Sequence, residues 1–97
     1  MSKIDFLAIG DIVVDAFIKL KDANVHCKID NTACELCVRF GDKVPYEEVE
    51  VIPAVGNCAN AAVSASRLGL SSYLVTYTGR DQDGIDCIKD LKKDKVN

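Results

Sequence analysis

An acidic side chain and a pair of amides are the parts of this 97-residue chain whose types and spacing could do chemistry. Asp15 lies in the alternating run 13–20, where Val13 and Phe17 share its face. A carboxylate among apolar side chains needs donors, either backbone N–H groups or the hydroxyls of a ligand. The amides lie in Val55-Gly56-Asn57-Cys58-Ala59-Asn60-Ala61-Ala62-Val63, a Gly-containing loop that runs into a stretch of small residues with helical character. Asn57 suits the N-cap, where its oxygen would accept a free N–H of the first turn. Asn60 then occupies the third helical position, at the positive end of the helix dipole. A helix entrance carrying two amides can grip a polar ligand.

The other chemistry-bearing groups are weaker. Cys34-Glu35-Leu36-Cys37 is a lone C-x-x-C, with His26-Cys27 upstream. A zinc site would need a second such pair or spaced histidines, and neither occurs. A redox C-x-x-C should open a helix after a strand, whereas this one lies in a strand-like alternation. The five cysteines are an odd set, and no signal-peptide pattern precedes them. The expectation is reduced, buried or half-buried thiols, no metal and a cytoplasmic chain. Asp81, Asp83 and Asp86 surround Gly84, but the glycine comes too early for a calcium loop and Lys92 stands where its closing Glu should be. No P-loop and no G-x-G-x-x-G occurs.

These groups need elements to position them. Residues 4–9 form an apolar run ending in Gly10, which predicts a strand buried on both faces. The alternating stretches 13–20, 35–40 and 48–52, with a turn at Gly41-Asp42-Lys43, predict an antiparallel insert in which the last two runs pair. Residues 57–68 predict a helix, stopped by Gly69 in a left-handed cap. Residues 73–78 are β-branched and aromatic, hence a strand. Gly79 to Gly84 is a turn, and Ile85, Ile88 and Leu91 then mark the inner face of a second helix, whose wet side holds Asp86, Lys89, Asp90, Lys92 and Lys93. Without the insert, a strand–helix–strand unit of an α/β sheet remains. Two strands and two helices do not cover both faces of a sheet, so the expectation is a piece of a longer protein.

The composition is 48% hydrophobic with net charge −3, which points to neither nucleic acid nor an acidic membrane surface as partner. No apolar run approaches the roughly 20 residues that span a bilayer.

Three segments together resemble the N-terminal third of ribokinase-like (PfkB-type) carbohydrate kinases. They are Phe6-Leu7-Ala8-Ile9-Gly10-Asp11 followed by Val14-Asp15, the segment 55–63 with its helix ending in Arg67-Leu68-Gly69, and Thr78-Gly79-Arg80-Asp81-Gln82-Asp83-Gly84. The second is similar to the family's Gly-Gly-x-x-x-Asn segment and the third to its G-x-D-x-x-G turn. The resemblance implies the N-terminal part of a three-layer, Rossmann-like α/β domain. Residues 1–12 and 53–97 would form its core and 13–52 a β lid, which often also makes the homodimer contact. It implies that Asp15 accepts hydrogen bonds from sugar hydroxyls and that Gly56, Asn57 and Asn60 add contacts to the sugar. The parent would be an ATP- and Mg2+-dependent sugar kinase, whose catalytic aspartate and nucleotide site lie downstream of these residues. This chain would then hold no catalytic or cofactor-binding residue and would be inactive alone. A nucleoside (adenosine-like) kinase is the nearest alternative substrate class, and a non-catalytic β-lid association module the alternative outside enzymes. Val55 stands where the family has the first of two glycines, implying a stiffer lid hinge. Val13 stands where some sugar kinases carry a polar ligand residue, which leaves the sugar open.

Overall fold

The computed structural model describes residues 3–97. They form a mixed α/β chain in the order β1 (Phe6–Ile9), β2 (Val13–Leu20), β3 (Asn24–His26), β4 (Glu35–Cys37), β5 (Tyr46–Val55), α1 (Asn57–Arg67), β6 (Ser72–Val75) and α2 (Gln82–Lys93). The strands make three two-stranded sheets, β1 with β6, β2 with β5 and β3 with β4. The chain divides into two compact units, residues 16–50 and the remainder.

In the larger unit, β1 and β6 run parallel with Phe6 opposite Ser72 and Ile9 opposite Val75. The crossover between them ends in α1, so the predicted strand–helix–strand unit is present. The two sheet faces differ sharply. On one, Ala8 is buried and Phe6 and Leu74 pack on a core made by Ala59 and Ala62 of α1, Cys87 and Leu91 of α2, Ala54 and Val96. On the other, Leu7, Ile9 and Val75 are 49%, 73% and 55% exposed. The expectation of a strand covered on both sides is therefore corrected: burial alternates along β1, because among the described residues the helices cover one face of this sheet.

Small residues let α1 lie close to the strands. Ala59, Ala62 and Ala65, at helical spacing, are buried. Ser72, fully buried on β6, donates through Oγ to the Ala62 carbonyl at 2.7 Å. Leu68 caps the helix, and Gly69 takes φ +93° as predicted. The Gly69 and Leu70 N–H groups bond the Ser66 and Ala65 carbonyls, a Schellman closure. α2 closes the same way without a glycine. Lys95 has φ +57°, its N–H and that of Val96 reach Lys92 and Leu91, and Val96 is buried behind it.

The inner face of α2 differs from the predicted one. Gly84, Cys87 and Leu91 are buried, while Ile85 and Ile88 are 54% and 43% exposed. The core side of this helix is set by what fits closest, a glycine and a thiol. The strand at 73–78 begins one residue earlier and ends at Val75. The run 35–40 leaves the strand after Cys37, and β4 pairs β3 rather than the 48–52 run, which belongs to β5 opposite β2. Cys27 and Cys34 form a disulfide, correcting the expectation of reduced thiols throughout. An odd cysteine count leaves at least one thiol free but does not prevent one pair, and here a tight turn brings the two ends together.

Candidate functional site

The turn into α1 is built around Gly56. Its φ of 108° and ψ of 166° lie in a region essentially restricted to glycine. Gly56, not Asn57, is the N-cap, and no side chain caps the helix. The predicted Asn57 cap is thus corrected: Asn57 is the first helical residue, and Asn60 the fourth. The Asn60 N–H already bonds the Gly56 carbonyl at 2.9 Å, so Asn60 has only its exposed side-chain amide to offer. The earlier N–H groups of the helix have no intrahelical acceptor. Residues of this helix start line a hollow of about 610 Å³: Gly56, Asn57 and Cys58, together with the end of β1, Asp11 and Val13.

Of the four residues predicted to contact a ligand, Gly56 and Asn57 line this hollow; Asp15 and Asn60 do not. Asp15 is exposed on β2. No hydrogen bond or ion pair ties its carboxylate to the other described residues. Asp11, which sequence reasoning treated only as the exit from the first strand, is the acidic residue that lines the hollow. Its position directly after the strand-ending Gly10 was the available signal.

Next to it, a smaller hollow of about 380 Å³ is bounded by Val13, Val14, Tyr77 and the turn Gly79–Gly84. Asp81 caps α2 there by accepting the Gly84 N–H at 2.9 Å. A Cβ on Gly84 would lie 2.0 Å from the Gly79 carbonyl oxygen, so the turn closes only around glycine. The two glycines and the aspartate of this motif thus have a local structural reason for their spacing.

The buried Ala54, held at φ +55°, donates its N–H to the Cys87 thiol at 3.2 Å. This bond anchors the end of β5, two residues before Gly56. Next to Val55, the backbone at Ala54 is thus constrained by its positive φ and by this bond. Where the two helices end, Arg67 pairs bidentately with Asp94 at 2.9 and 3.0 Å, and Ser66 donates to the Asp94 carbonyl. The guanidinium, mainly by hydrogen bonding, holds the Asp94 carboxyl below the usual range and is itself raised by that carboxylate. Thr32 likewise lowers Asp30 through hydrogen bonds from its hydroxyl and its N–H. Among the described residues no group of three or more His, Cys, Asp or Glu is placed to hold a metal ion.

Compared with protein-family models, curated proteins and solved structures, the chain matches none. No helix among the described residues is long and apolar enough to cross a membrane.

Proposed function

We propose that this chain is the substrate-gripping N-terminal part of a ribokinase-like, ATP-dependent carbohydrate kinase. The observation that carries this reading is the uncapped entrance of α1. A helix start without a side-chain acceptor, opened by Gly56 and facing a hollow with Asn57 and Asp11, offers donors and acceptors to a polyhydroxylated molecule. Asp15, exposed and unpaired among the described residues, is free to accept from hydroxyls. In this reading the strands of residues 13–52 serve as the lid and as the contact of a homodimer, in a cytoplasmic enzyme. The remainder of the three-layer domain brings ATP, Mg2+ and the proton acceptor for the attacking hydroxyl, and catalysis proceeds by positioning and electrostatics. The residues of this chain bind and orient; they move no proton. A nucleoside substrate would use the same hydroxyl-binding groups on its ribose.

Asp15→Asn tests the reading by calorimetric titration with ribose, fructose and adenosine. Loss of a charged acceptor is worth about 1.5–3 kcal/mol, hence at least about tenfold in affinity. The melting temperature should not move, because Asp15 is exposed. Lower stability with unchanged affinity would make Asp15 a structural residue and remove it from the site.

A further inference from the structure

We propose that the Cys27–Cys34 disulfide is a redox switch that sets whether the β3–β4 hairpin is folded. The ladder is short, with Asn24 opposite Cys37, Val25 opposite Leu36 and His26 opposite Glu35. The disulfide closes it one step beyond His26 and Glu35. Little else holds the segment together. Residues 24–36 are all exposed, and Val25, Ile29 and Leu36 have relative exposures of 66%, 107% and 64%. The turn carries Asn31 and Ala33 at positive φ, a conformation that favours glycine, and is tied by two backbone bonds between Lys28, Asn31 and Thr32 and by the exposed bonds of the Thr32 N–H and hydroxyl to Asp30. A two-stranded hairpin without a covered face is marginal in water. A cross-link at its turn end, across residues 27–34, removes freedom from the unfolded segment, so the disulfide is the main term in its favour.

Both cysteines are exposed, which places their bond within reach of small thiols. A thiolate of the glutathione class attacks one sulfur, breaks the Cys27–Cys34 bond and leaves a mixed disulfide plus one cysteine thiolate, which takes up a proton. A second thiolate attacks the mixed disulfide and releases oxidised glutathione and the other cysteine. In sum, two thiols become one disulfide as the protein disulfide gains two electrons and two protons. Oxidised glutathione drives the reverse. The hairpin also walls a hollow of about 630 Å³, because the ladder partners Asn24 and Cys37 line it beside Lys21, Arg39 and Lys43. Reduction therefore dismantles that hollow. This inference is independent of the kinase reading.

The test is hydrogen exchange on the full chain equilibrated in oxidised and in reduced glutathione, with cysteine mapping by alkylation and mass spectrometry. In the oxidised chain, alkylated in denaturant before mapping, Cys27 and Cys34 are linked while Cys37, Cys58 and Cys87 carry the label. Reduction speeds exchange of the paired amides in 24–37 by at least about tenfold and leaves α1 and β6 unchanged. Cys27→Ser under oxidant reproduces the reduced pattern. Equal exchange in both redox states, or a disulfide joining any other pair, would overturn the proposal.

Discussion

At the scale of single residues, the account rests on positions where the backbone leaves no choice. Gly56 has room for a Cβ, whose nearest neighbours would be the Asp11 carbonyl at 3.7 Å and Val13 Cγ2 at 3.8 Å. Its dihedrals are the obstacle. Gly56→Ala should lower stability by about 1–3 kcal/mol in urea unfolding and disturb the entrance of α1. At Gly84 the obstacle is space, since the clash is with backbone. Gly84→Ala should cost at least about 2 kcal/mol, read as loss of helical circular dichroism on heating at a lower temperature. The Arg67–Asp94 pair gives a pH signature. The folded carboxyl titrates below its unfolded value, so the contribution is complete above the ordinary carboxylate range and disappears as pH falls through the lowered value. Asp94→Asn should therefore lower the melting temperature at neutral pH and leave it unchanged in strong acid; an equal drop at both would assign the effect to helix capping alone. Arg67 is 68% exposed, so the effect is small.

At the scale of elements, much was legible because periodicity reports burial. The small-residue helix, its glycine stop and the strand before α2 all follow from local sequence, and α1 buries Ala59, Ala62 and Ala65 as helical spacing requires. The inner face of α2 was legible only at Leu91. Hydropathy favours Ile85 and Ile88, but close approach selects Gly84 and the small Cys87, whose thiol accepts the Ala54 N–H. The pairing in the smaller unit was also not legible, since alternation marks a strand without naming its partner. Nor was the disulfide, because five cysteines allow many pairings. Of the residues that line the hollow, Gly56 and Asn57 are the two that the sequence singles out as candidates. Asp11 was passed over because a carboxylate after a strand-ending glycine reads as an ordinary turn. The Asp81 cap is an element-scale prediction: Asp81→Ala should cost about 1 kcal/mol, and Asp81→Ser should restore most of it. Equal losses in both would mean that the Gly84 N–H does not depend on this side chain.

At the scale of the whole molecule, the apolar face formed by Leu7, Ile9 and Val75 and the exposed Ile85 and Ile88 outweigh a core of mainly small side chains. Sheet surface of this kind favours self-association. The chain should unfold in a broad transition within or below the roughly 45–65 °C typical of small domains, with concentration-dependent light scattering. A sharp transition well above that range, in a monomer, would mean that these surfaces cost little. The kinase reading makes a separate statement: incubated with ATP, Mg2+ and sugar, the isolated chain transfers no phosphate. The most direct measurement of the central claim is a nuclear magnetic resonance titration of the isotope-labelled chain with ribose, fructose and adenosine. The account predicts that at least one ligand shifts the amides of Asp15, Gly56, Asn57 and Asn60 together, with one common saturation curve. Saturating ligand that leaves all four unmoved, or moves only residues remote from the α1 entrance, would contradict it.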